Sequence, residues 1–124
     1  MVLNTVAPHE TLARYIYSKH HYRSSDHTVK YAAFVPPKDN RRLSIFRISS
    51  LPENEIWAIG KNLRQQSLLG RADIKALDVF QIGLSIDPDN TPPHHANITD
   101  WPSEDSAIKL KAIELAEKAR FYIK

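Results

Sequence analysis

Between residues 12 and 17 the side chains alternate, with Leu12, Arg14 and Ile16 on one side and Ala13, Tyr15 and Tyr17 on the other. Period two with β-branched and aromatic content predicts a strand, a short helix after Pro8 being the alternative. Residues 29–35 form an apolar, β-rich run that Pro36 and Pro37 end, since proline cannot extend a ladder. Residues 43–48, LSIFRI, lie beyond a polar turn, so the two runs can pair as a hairpin. The clearest alternation sets Phe80, Ile82, Leu84 and Ile86 against Gln81, Gly83, Ser85 and Asp87. A turn, DPDNTPP, then delivers His94 and His95 onto a second short run ending at Ile98. Residues 71–76 read as a short strand or an irregular entry to the long one.

Two segments change period. Ile56, Ile59 and Leu63 recur at helical spacing after a start at Ser49 or Ser50, with Pro52, Glu53 and Glu55 in the positions that favour the positive end of a helix. Gly70 reads as its terminator. Gly60, inside it, costs about 1 kcal/mol relative to alanine and suits close approach to a sheet. The last helix starts at Ser103 with Glu104 and Asp105 in its first turn, and buries Ile108, Ala112, Leu115, Ala116, Ala119 and Ile123. The order is β-β-β-α-β-β-α. It predicts an α+β fold: a mostly antiparallel sheet of about five strands with two helices on one face. Residues 1–124 form one expected domain, and residues 1–10 an expected loose lead-in.

Composition bounds this picture. With 124 residues, 42% of them hydrophobic, the chain can bury a core unaided. It has no cysteine, which removes disulfides, thiolate metal sites and cysteine nucleophiles. No apolar run reaches the roughly 20 residues that span a bilayer, and no signal peptide is recognisable, so a cytoplasmic location is expected. A net charge of +3 permits phosphate binding without requiring it. The three glycines are too scattered for a phosphate loop.

Candidate chemistry falls in three places. On a strand, His95 and Asn97 share a face while His94 points away; His95 is a candidate general acid or base, and Asn97 could orient a substrate. The loop SKHHYRSSDH supplies His20 and His21 as second acid/base candidates, with Lys19 and Arg23 to hold an anion. Arg71 can fork onto a carboxylate or phosphate, with Asp73 fixing it. Each also has a structural reading: a half-buried histidine, a solvated loop, an ordinary salt bridge. No His-x3-His or HExxH spacing is present, and no metal or cofactor is expected. Arg41, Arg42, Arg47, Lys61, Arg64 and Arg71 could form a basic surface, with Tyr15, Tyr17, Tyr22 and Tyr31 to stack on bases, although no nucleic-acid module is recognisable.

The motifs SKHHY, VKYAAFVPP, LSIFR, ENEIWAIG, GRADI and HHANITDWP, taken together, resemble a group of short prokaryotic proteins over roughly residues 12–119. The resemblance implies a bacterial or archaeal cytosolic origin and brings no activity, fold or catalytic residue with it.

Two function classes follow. The first is a binding or accessory module that docks onto a larger protein partner or a nucleic acid, favoured because no motif fixes a reaction. The alternative is a small metal-independent hydrolase or phosphodiesterase, with RNA as one candidate substrate and with His95 and His20 or His21 as acid and base. Geometry separates them. The enzyme requires His20 or His21, His95 and Arg71 to share one hollow.

Overall fold

β1 (Thr11–Ile16) is the strand on which the sheet is assembled. In the computed structural model, which describes residues 5–124, it pairs with β4 (Leu43–Arg47) on one side and β5 (Gly70–Lys75) on the other. β7 (His95–Thr99) and β6 (Ser85–Pro88) continue the sheet beyond β4, and β8 (Arg120–Ile123) closes the other side. The order is β6-β7-β4-β1-β5-β8, antiparallel at every step. A separate ribbon joins β2 (Tyr22–Arg23) to β3 (Thr28–Val29). The chain is therefore α+β, as its periodicities predict, but among the described residues the main sheet has six strands rather than about five.

Among the described residues three α-helices accompany the sheet instead of two: α1 (Glu53–Leu63), α2 (Ala76–Gln81) and α3 (Asp105–Lys118). They do not share one face. Ala13, Tyr15 and Phe46 pack with Ile56 of α1, whereas Leu12, Ile16, Ile45 and Ile98 pack with Ile108, Ala112 and Leu115 of α3. Connectivity explains this. β4 and β5 both run against β1, so α1 crosses between parallel strands, and α3 likewise joins the parallel β7 and β8. Both crossovers travel the same way across the sheet from strands of opposite direction. Such crossovers are right-handed almost without exception, and two of one hand must then lie on opposite faces.

The alternation over residues 80–86 does not make one strand. Residues 76–81 are α2, Gly83 turns the chain at φ 82°, and β6 begins only at Ser85. The Asp78 carboxylate accepts the Lys75 N–H at 3.2 Å, and the N–H groups of Ala76 and Leu77 donate to Glu10 O and Pro8 O, both at 2.9 Å. Those bonds tie the helix start to the segment before β1, so long-range pairing overrides β-propensity. Two further expectations fail for similar reasons. Residues 29–35 contribute to β3 and then to a 3-10 turn, Tyr31–Phe34, that buries Ala33 and Phe34 beside α3; they form no hairpin with β4. The last helix stops at Lys118, because the chain beyond it pairs with β5, placing Phe121 opposite Ala72. Of the expected lead-in, residues 1–4 lie outside the described residues. Residues 5–10 are tied down: Val6 is buried, and Glu10 pairs with Arg47 at 2.8 Å. No helix among the described residues is long and apolar enough to cross a membrane.

Gly60 lets α1 lie close to β1. A Cβ there would come within 2.5 Å of the Tyr15 ring, whose hydroxyl is anchored on Ile56 O at 2.5 Å. The steric cost outweighs the helix propensity that alanine adds. Gly60→Ala is expected to destabilise the fold by about 2 kcal/mol, measured as a lower urea midpoint at unchanged slope. An unchanged or higher midpoint would show that the ring can yield.

Candidate active site

The turn before β7 is held by its own backbone. Asn90 N–H donates to His95 O and His95 N–H to Pro92 O, both at 3.0 Å, while His94 O accepts the Arg47 N–H of β4 at 2.8 Å. His94 takes a left-handed conformation, φ 72°, which swings the chain so that His95 opens the strand. Strand parity then puts His95 and Asn97 on the α1 face of the sheet. There they meet Ser44, because β4 and β7 pair with Ser44 opposite Asn97 and Phe46 opposite His95.

The result is a linear chain of three side chains. Asp89 Oδ1 lies 2.7 Å from His95 Nδ1, and His95 Nε2 lies 2.7 Å from Ser44 Oγ. Chemistry assigns the protons. An ionised carboxylate only accepts, so Nδ1 carries the hydrogen; Nε2 of the neutral ring is then an acceptor, and the serine hydroxyl donates to it. Asn97 Nδ2 donates to Asp89 Oδ2 at 3.2 Å, and the Thr91 N–H to Asp89 Oδ1 at 3.2 Å. Burial works against the Asp89 charge, but the bonds from His95, Thr91 and Asn97 outweigh it and hold the carboxyl below its ordinary value. The ring of Phe46 stands edge-on to His95 at 5.2 Å between centroids and restricts its rotation. A hydroxyl on an imidazole that is itself oriented by a carboxylate is the arrangement that activates a serine for nucleophilic attack.

Ser44 opens into a cavity of about 350 Å³ that it shares with Arg14, Tyr17, Ser18, His21 and Arg64. The opening arises where the sheet parts. β1 and β4 pair only at Leu12–Arg47 and Ala13–Phe46, while β1 stays paired with β5 as far as Ile16. At the gap the Arg14 guanidinium replaces the missing ladder: Nη1 donates to Ser44 O at 3.0 Å and Nε to Ala33 O at 2.8 Å. Burial, then repulsion from Arg64, pulls the Arg14 guanidinium down to about 10. Burial, then the charges of Arg14 and His20, hold the His21 imidazole below its ordinary value. Arg64 lies over the Tyr17 ring at 5.3 Å.

The other residues singled out in the sequence lie elsewhere. Arg71 is buried beneath α1, clamped by Glu53 on Nη1 and Nη2 at 2.9 Å each and by Asp73 on Nε at 3.1 Å. The Trp57 and Tyr122 rings lie on it at 4.7 and 4.6 Å. It therefore does not share the hollow with the histidines, and its donors are spent on Glu53 and Asp73 within the protein. His20 and Arg23 line a different, more open hollow, with Arg23 paired to Asp26 at 3.6 Å; Lys19 is exposed in the 3-10 turn Lys19–His21. Of the paired histidines, His21 reaches the Ser44 cavity and His20 does not. The arginines expected to form a basic surface mostly sit against acids: Arg41 with Asp105, Arg42 with Asp87, Arg47 with Glu10. Among the tyrosines, Tyr15 is buried and Tyr22 stacks on Phe121. No group of three His, Asp or Glu side chains able to hold a metal ion occurs among the described residues.

Ser44 and Asp89 are absent from the reading of the sequence, which takes Arg14 only as a strand position and Arg64 only as part of a basic surface. One of them carries a legible signal: Arg14 shares a strand face with Leu12 and Ile16, a charged position flanked by core positions. Ser44 is an ordinary polar position in an alternating strand, and Asp89 an ordinary turn aspartate. Comparisons with family models, with curated proteins and with solved structures each find no match to this chain.

Proposed function

With no match to argue from, we propose on the geometry that the protein is a small metal-independent hydrolase of anionic esters, and on the motif resemblance alone that it works in a prokaryotic cytosol. Ser44 is its nucleophile, His95 its general acid and base, and Asp89 the residue that orients the imidazole. The observation that carries this reading is the unbroken Asp89–His95–Ser44 chain, at 2.7 Å in each link, ending in a cavity.

In the first step Ser44 Oγ bonds to the acyl carbon or phosphorus of the ester, and its proton passes to His95 Nε2. Asp89 stabilises the imidazolium that forms. The proton then goes to the departing alkoxide, whose bond to carbon or phosphorus breaks. Water attacks the covalent intermediate, giving its proton to His95 and releasing Ser44 as the hydroxyl. Asn97 supports this chain by holding the far oxygen of Asp89 rather than by meeting a substrate.

The full-length protein treated with a fluorophosphonate probe is expected to gain the mass of one adduct, on the peptide carrying Ser44, and to hydrolyse activated acyl or phosphoryl esters. Ser44→Ala should lose both. An adduct on another residue, or no adduct and no turnover, would overturn the hydrolase reading. The binding-module alternative, with a protein or nucleic-acid partner, would then be favoured by co-purification of a partner with the unlabelled protein.

A further inference from the structure

The cavity beside Ser44 holds like charges without a counter-charge. Arg14 and Arg64 line the same cavity, where the charge of Arg64 disfavours the Arg14 proton, and neither has a carboxylate within ion-pairing distance among the described residues. Five of the other six arginines, Arg23, Arg41, Arg42, Arg47 and Arg71, each lie within 4.0 Å of an acid, and the sixth, Arg120, lies over the Tyr122 ring at 5.3 Å. Concentrating two guanidinium groups in a partly enclosed hollow is costly unless something neutralises them. Arg14 also keeps part of its fork available. Nε and Nη1 are committed to the carbonyls of Ala33 and Ser44, whereas Nη2 has no partner among the described residues and is not sealed from solvent. The Ser18 oxygen accepts the His20 N–H at 3.1 Å, which leaves its hydroxyl hydrogen to donate outward.

We infer that this cavity is a subsite for the phosphate-monoester group of a small ligand, held by Arg14 and Arg64 with Ser18 and His21 at its rim. The inference rests on the hydrolase reading for its setting and names the substrate class. Charge decides the class. Two fixed positive charges are balanced by a dianion, while a carboxylate would leave one unopposed. Arg64 can present a planar fork to phosphate oxygens, which accept paired N–H donors, and Arg14 adds the Nη2 hydrogens that its two carbonyl partners leave over. At about 350 Å³ the cavity takes a phosphate with a small organic group and no polymer.

The test is calorimetric titration of the full-length protein with inorganic phosphate and with phenyl phosphate at fixed ionic strength, with acetate as the monoanionic comparison. Both phosphates are expected to bind at one site, and acetate at least about tenfold more weakly, as expected for the loss of a charge-assisted bond. Arg64→Gln changes an exposed side chain and leaves the fold intact; it should weaken phosphate binding by about tenfold. Arg14→Met should weaken it further, and Arg64→Gln decides the matter if Arg14→Met does not fold. Asp89→Asn lies outside the cavity, so it should abolish ester turnover and leave phosphate binding unchanged. Absence of phosphate binding, equal binding of acetate, or indifference to Arg64→Gln would each overturn the subsite. Phosphate binding by a protein that turns over no ester would remove the hydrolase reading and leave the subsite standing.

Discussion

His95→Ala is expected to lower ester turnover by about 10²–10⁴, the usual contribution of a positioned acid/base group. In one substitution it removes the acceptor for the Ser44 proton and the donor to Asp89. The loss should appear in kcat more than in KM, because neither Arg14 nor Arg64 touches the ring and the anchoring of the anion is unchanged. Stability should fall by only about 1–2 kcal/mol: the serine and the aspartate lose a partner, but Asp89 is 40% exposed and water can replace the imidazole N–H. A thermal melt beside the rate measurement separates the two effects. A folded His95→Ala protein with turnover within a few-fold of the parent would show that the histidine is only a strut between β4 and the turn.

The second large effect concerns stability. Arg71→Leu is expected to cost about 3–5 kcal/mol, the range for removing one member of a buried pair. The cost is unequal between its two acids. Glu53 is 70% exposed and returns to water cheaply, whereas Asp73 is 11% exposed and would be left charged in a low-dielectric site. The Trp57 and Tyr122 rings would also lose the cation between them. Acidity provides a signature. In the parent, burial already raises the Asp73 carboxyl above its ordinary value of 3.8, although Arg71 opposes the shift. A raised acid binds more protons folded than unfolded, so its destabilising contribution is full above the folded pKa and fades as pH falls through it. Without Arg71 the shift grows. The urea midpoint of Arg71→Leu should therefore recover as pH is lowered from neutrality towards the ordinary carboxylate range, and the double variant Arg71→Leu with Asp73→Leu should regain much of the loss. A pH-independent deficit would place the cost in packing rather than in the stranded carboxylate. Ester turnover of the folded fraction should be unaffected, since the clamp and the Ser44 cavity have no residue in common.

Arg71 shows how a residue type can be read correctly and its purpose missed. An arginine and an aspartate two apart on a strand necessarily share a face, and they do pair. What the local sequence does not contain is α1, which brings Glu53 and Trp57 over that pair and closes it to ligands. The histidines divide in the same way. The pairing of His95 with Asn97 on one face follows from parity and is seen. The separation of His20 from His21 depends on the 3-10 turn and on which wall of the loop each side chain meets.

The sequence by itself determined the elements whose evidence is local. β1 follows from alternation, β4 and β7 from short apolar runs beyond polar turns; α1 and α3 follow from helical spacing and their acidic starts; the absence of thiol chemistry follows from composition. Tertiary structure decided whatever required distant segments to meet. α2 replaces a strand because residues before β1 bind its first N–H groups, and β8 replaces a helix end because β5 offers it an edge. The relay exists because register places Ser44 beside His95, 51 positions later in the chain. The basic cavity exists because β1 and β4 part after two pairs and Arg14 fills the break. Periodicity reports which face a side chain occupies, but the neighbour on that face is set by pairing and crossover handedness, which are properties of the whole chain.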